Sequence, residues 1–239
     1  STRLELAKKG GVALLLQIAK TTPILAASAL LVLNKVSRNS ETKDAFVQGG
    51  NMKTLSNMAV EFSELGNTNA SVIAAMTIAN VIGSEESEES EALLSDPRLG
   101  VLHYVVDALR AAIKDQPYAG INHSIYSLMQ TLGHLSVPDK NKDRIVISGV
   151  VELVSPILKK SCIDGNQKLT NLAKESAVFV IWQLAFKEHL RPLLLSTDIV
   201  DSLKSLADPN PRLKQNIEGA LFTLNKESKE KEKEREKKE

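Results

Sequence analysis

The chain has 239 residues, 43% of them hydrophobic but only 4% aromatic, with 30 basic and 29 acidic residues for a net charge of +1. That balance gives no broad field to draw it to nucleic acid or to an anionic membrane, so neither is an expected partner. The single cysteine, Cys162, excludes a disulfide within the chain and fits a reducing, cytoplasmic compartment. No apolar run reaches the roughly 18–20 residues needed to cross a bilayer; Ile24–Val36 comes nearest, broken by Ser28, Asn34 and Lys35.

Taken in chain order, apolar residues recur at helical rather than strand spacing, and the core must be aliphatic. The first unit enters at Leu6–Gly11, and its long helix is predicted over Ile24–Ser37, after Pro23, a residue suited to a helix start. Phe46–Gly50 then leads into a helix over Asn51–Phe62 and a long one over Ala70–Gly83. Ser84–Glu91 holds five Glu and three Ser in eight residues. It reads as a solvated loop, or alternatively as a regulatory acidic loop open to phosphorylation or to a basic partner. A third long helix is predicted over Asn122–Ser136, ending near Pro138. Ile145–Gly149 leads into Val150–Lys159 and then a long helix over Leu172–Phe186. Leu194–Asp198 leads into Ile199–Ala207 and a last long helix over Pro211–Lys226. The remainder to Glu239 is almost wholly Lys, Arg and Glu, with no apolar stripe to bury. It is either a lone charged helix or disordered, and it fits a linker to a following domain after Glu239.

An apolar tail, a break, a helix and a longer helix thus come round five times. A period of about 40–50 residues built from helices is the mark of a HEAT or armadillo solenoid, in which no repeat buries its own apolar face alone. The expected fold is all-α, a right-handed armadillo/HEAT-like superhelical solenoid of about five repeats over residues 1–225, with 226–239 a charged linker or tail. Phe46–Gly50 and Ile145–Gly149 resemble the end of the first armadillo helix and the break after it. Ile78–Val81, Leu132–Ser136 and Ile181–Ala185 resemble the end of the third. Repeats one, four and five match best; two and three are longer and looser. A narrower stretch, Val178–Phe186 with Ile217–Leu224 and the charged run, resembles the armadillo region preceding a TIR domain in invertebrate, SARM-like proteins.

The armadillo resemblance implies a non-catalytic scaffold that binds a protein or peptide partner in a concave groove lined by third helices. The TIR resemblance implies the alternative, a regulatory domain of a TIR-type NAD hydrolase or signalling protein, with Lys35, Arg110 and Lys114 as candidate phosphate contacts. In armadillo families an Asn on the third helix grips a peptide backbone, since an amide both donates and accepts. The matching positions here are Lys35, Asn80, His134, Gln183 and Thr223, so only Asn80 keeps the residue and Gln183 the amide. One turn earlier lie Leu31, Met76, Gln130, Phe179 and Gly219. The expected contact residues are Asn80, Gln130, His134, Phe179 and Gln183. Trp182 is expected to pack between units four and five. The four histidines and Cys162 show no metal-ligand spacing, no phosphate-binding glycine loop is present, and no converging catalytic set can be read. No cofactor, metal or enzymatic activity is expected.

Overall fold

A computed structural model describes residues 2–206 and 210–226. It is 77% helical, and among the described residues there is no strand, only an isolated bridge between Tyr118 and Ile121. Among the described residues fifteen α-helices follow one another as five triplets. The first is α1 (Thr2–Lys8), α2 (Gly11–Thr21) and α3 (Ala26–Ser37). The second is α4 (Lys43–Val47), α5 (Asn51–Glu64) and α6 (Thr68–Ile82). The third is α7 (Glu88–Ser95), α8 (Val101–Ile113) and α9 (Ile125–Leu135). The fourth is α10 (Asp139–Ile147), α11 (Val151–Lys159) and α12 (Gln167–Ala185). The fifth is α13 (Arg191–Leu195), α14 (Ile199–Lys204) and α15 (Pro211–Leu224). The charged run beyond Lys226 lies outside the described residues.

The breaks before α2, α5, α8 and α11 fall at glycines, and the one before α14 at Ser196–Asp198. Gly50 (φ 73°) and Gly149 (φ 82°) hold the left-handed conformation before α5 and α11, where a side chain would be strained. After three of the third helices the chain turns by one device. A buried polar residue reaches back six positions to a carbonyl at the helix end: Thr42 Oγ1 to Val36 O at 2.7 Å, Asn141 Nδ2 to Leu135 O at 3.0 Å, and Arg191 Nε to Ala185 O at 2.8 Å. Each satisfies an acceptor that the helix cannot pair internally.

The second triplet departs from this. Ser84–Glu91 is not a loop throughout: Ser87 accepts from the Ser90 amide at 3.1 Å and caps α7, with Glu88, Glu89 and Glu91 in its first turn. Acidic side chains are stabilising beside the exposed amides of a helix start. The run looked unstructured because its apolar residues, Leu93 and Leu94, lie just beyond it.

The helices gather into two compact units. The first holds residues up to Ala108 together with Pro117–Asn122; the second holds Leu109–Gln116 and the residues from His123 onward. In the first, α6 is the central helix, buried at every residue from Ala70 to Ile82, as expected of a helix apolar all round. It packs on α5 and α3. Two buried side-chain bonds join α3 to α6: Asn34 Nδ2 to Thr77 Oγ1 at 3.4 Å and Asn80 Nδ2 to Ser37 Oγ at 3.1 Å.

In the second unit α12 lies between α9 and α15. It begins five residues before the predicted start, because Asn166 caps it by accepting from the amides of Lys168 and Leu169. Helix α9 begins three residues later than predicted, where Ser124 accepts from the Ser127 amide. Asp164, from the loop before α12, accepts there from Ser124 Oγ at 2.7 Å and from the amides of Ile125 and Tyr126 at 3.2 and 3.3 Å. Trp182 packs α12 against α15, as expected, and its Nε1 donates to Thr223 Oγ1 at 3.2 Å.

Candidate functional site

Within the second unit, α9, α12 and α15 enclose a cleft of about 310 Å³. Helix α9 contributes Tyr126, Gln130 and, one turn further on, Gly133 and His134. Helix α12 contributes Leu172, Glu175, Ser176 and Phe179, and α15 contributes Arg212 and Asn216. Three of the five expected contact residues, Gln130, His134 and Phe179, are thus brought to one cleft. The ring of Phe179 lies against Gly133: a Cβ there would stand 3.4 Å from it, in ordinary contact.

The other two are placed differently. Gln183 is half-buried on α12, outside the cleft lining. Asn80 belongs to the first unit, where it is buried and spends its amide on Ser37. Lys35 lies in the first unit, while Arg110 and Lys114 lie in the second, so no compact unit holds all three.

The cleft holds charged residues that the groove positions alone did not single out. Glu175 keeps little side-chain exposure; its carboxylate accepts from Asn210 Nδ2 at 2.8 Å and lies 3.7 Å from Arg212 Nε. Arg212 is mostly exposed, so the pair offers solvent a guanidinium and a carboxylate edge side by side. These residues were legible as a continuation of the groove column. Tyr126 and Glu175 stand one turn before Gln130 and Phe179, and Asn216 and Arg212 one and two turns before Gly219.

A second cleft, of about 330 Å³, opens in the first unit between α5, α7 and the turn at Asp96–Leu99. Val60, Ala92, Leu93 and Leu99 line it, with Glu61, Glu64 and Glu89 beside them. Arg98 hydrogen-bonds Asp96 and holds its carboxyl below the usual carboxylate range. Cys162 is exposed, and among the described residues no group of three or more His, Cys, Asp or Glu converges as a metal site. No helix among them is long and apolar enough to cross a membrane.

No family model matches the chain, and no curated protein matches it in sequence. Solved structures do match in fold. A designed armadillo repeat protein in complex with the peptide (KR)4 superposes with a TM-score of 0.62 at 16% identity, over 93% of this chain and 85% of that one. Computationally designed armadillo repeat proteins for modular peptide recognition give 0.61 at 15% identity, over 92% and 85%. UNC-45 from Drosophila melanogaster gives 0.61 at 21% identity, over 93% of this chain but 26% of that protein. The chain therefore has the armadillo-repeat fold, and the helices among the described residues fit about five repeats. These likenesses lend no support to the narrower TIR resemblance.

Proposed function

We propose that the chain is a non-catalytic protein-interaction scaffold, with residues 1–225 as one repeat domain, and that the α9–α12–α15 cleft takes an extended peptide segment of a partner. The observation that carries this is the gathering of Gln130, His134 and Phe179 with Ser176 and Asn216 in one cleft of about 310 Å³. An extended main chain presents alternating donors and acceptors. Amide and hydroxyl side chains match both, while Phe179 and Leu172 supply apolar contact. The two designed armadillo structures, one holding a peptide and one made for peptide recognition, support the reading by likeness of fold.

The test is a peptide-array screen with the whole chain, followed by polarisation titration of the best binders. Changing Gln130 and Phe179 together to Ala should weaken binding about tenfold or more, since a truncated hot-spot residue typically costs about 1–2 kcal/mol. The far-ultraviolet dichroism should not change. Binding that survives this pair but is lost when Ser84–Glu91 is deleted would move the site to the acidic cleft.

A further inference from the structure

The cleft of the first unit combines an apolar floor with an acidic rim. Helices α5 and α7 both pack on α6, and the cleft of about 330 Å³ opens between them. Helix α5 lines it with Asn57, Val60, Glu61 and Glu64, and α7 with Glu89, Ala92 and Leu93. Positions three and four apart share a face, so each helix turns one stripe of mixed apolar and acidic side chains to the cleft. Val60 and Leu93 are only half-buried there, above the buried Leu99.

The rim is strongly one-signed. Glu61, Glu64 and Glu89 are exposed. Among the described lining residues the only basic group is Arg98, and it is already engaged: its Nε and Nη2 donate to the Asp96 carboxylate at 3.0 and 2.6 Å. Four carboxylates thus face one guanidinium. Like charges gathered round a floor of low polarity repel one another, and a cationic partner relieves that repulsion while apolar contact is made beneath it.

We propose that this cleft docks a basic, apolar segment of a partner protein. An apolar side chain of that segment, of about the size of Leu, fills the space over Val60, Leu93 and Leu99. Flanking Lys or Arg side chains reach Glu61 and Glu64 on one wall and Glu89 on the other. An acidic segment would meet repulsion from both walls. The chain's own run from Lys226 to Glu239 has the cations but no apolar side chain for the floor, and it carries nearly as many acidic groups. The inference goes beyond the peptide cleft of the second unit and does not rest on it, since the two share no residue.

The probe is a fluorescein-labelled, end-blocked peptide of Lys and Leu, titrated with the whole chain by polarisation. It should bind. Changing Glu61 and Glu89 together to Gln, which keeps the size of two exposed side chains, should weaken binding about tenfold or more, and replacing Leu by Ser in the peptide should do the same. Amide exchange with the peptide bound should slow in α5 and α7. Absence of binding would overturn the proposal, as would binding that ignores the Glu changes. A Lys and Ser peptide that binds equally well would overturn it too, by reducing the effect to diffuse charge. Exchange that slows in α9, α12 and α15 instead would put the peptide in the other cleft, sinking this inference and leaving that one standing.

Discussion

The indole of Trp182 fills the space that a side chain at residue 219 would need: a Cβ there would stand 2.7 Å from two of its ring carbons. Gly219 sits inside α15, where glycine ordinarily costs a helix about 1 kcal/mol against alanine. Packing has overridden propensity. Gly219→Ala should therefore destabilise the protein by about 1–3 kcal/mol, the usual cost of overpacking, although propensity alone predicts a gain. Trp182 is the only tryptophan, so its fluorescence during urea unfolding reads the site directly. A midpoint equal to or above that of the parent protein would refute the close packing of α12 on α15.

The six-residue back-reach after α3, α9 and α12 makes a second prediction. Asn141→Ala leaves the Leu135 carbonyl without its buried donor and should cost about 1–3 kcal/mol. Lys53→Ala, at an exposed position on α5, should stay within about 0.5 kcal/mol. Equal chemical-denaturation midpoints for the two would show that the turn device contributes nothing.

Acid should unfasten α10 from the start of the last repeat. The Lys187 ammonium, bonded at 2.7 Å, and then His189 hold the Asp143 carboxyl below its ordinary range. A carboxylate whose folded pKa is depressed adds stability that is present above its unfolded pKa of about 3.9 and is lost as pH falls through the folded value. Asp143 is partly exposed, so solvent screening keeps the effect small. Asp143→Asn should be less stable than the parent protein near neutrality, and the gap should close in acid. Unfolding midpoints at several pH values test this; a gap that is constant with pH would rule out the ion pair as its source.

Asp164 ties the loop before α12 to the start of α9 through three acceptor contacts. It does so at φ 54°, a left-handed conformation that Asp and Asn tolerate better than most residues. Asp164→Ala should cost about 1–2 kcal/mol, from the lost cap and from the strain. Asp164→Asn should recover part of this by keeping an acceptor oxygen. Amide hydrogen exchange of Ile125 and Tyr126 should quicken most in the alanine variant, and unchanged exchange would count against the cap.

Much of the fold was legible because helical periodicity is a local property. Apolar spacing placed most of the long helices to within a turn, though α8 was given no range; glycines marked four of the five breaks, and the recurrence of the pattern gave the repeat. Boundaries slipped where a polar side chain decided them: Asn166 starts α12 early, and Ser124 with Asp164 starts α9 late. Helix α7 was read as loop because its charged first turn hid the apolar residues that follow.

The candidate site divides along the same line. Sequence alone determined which residues share one face of each third helix, since that needs only a period of about 3.6. It put Gln130 and His134 on one face of α9 and Phe179 on α12, and the three line one cleft. The tertiary structure alone decided what those faces meet. Asn80 is spent on Ser37, 43 positions away, and Glu175 is held by Asn210, 35 positions away. Trp182 takes the place of a side chain at Gly219. Such pairings depend on groups brought together only when repeats stack, and no local pattern in the chain encodes which of them will find each other.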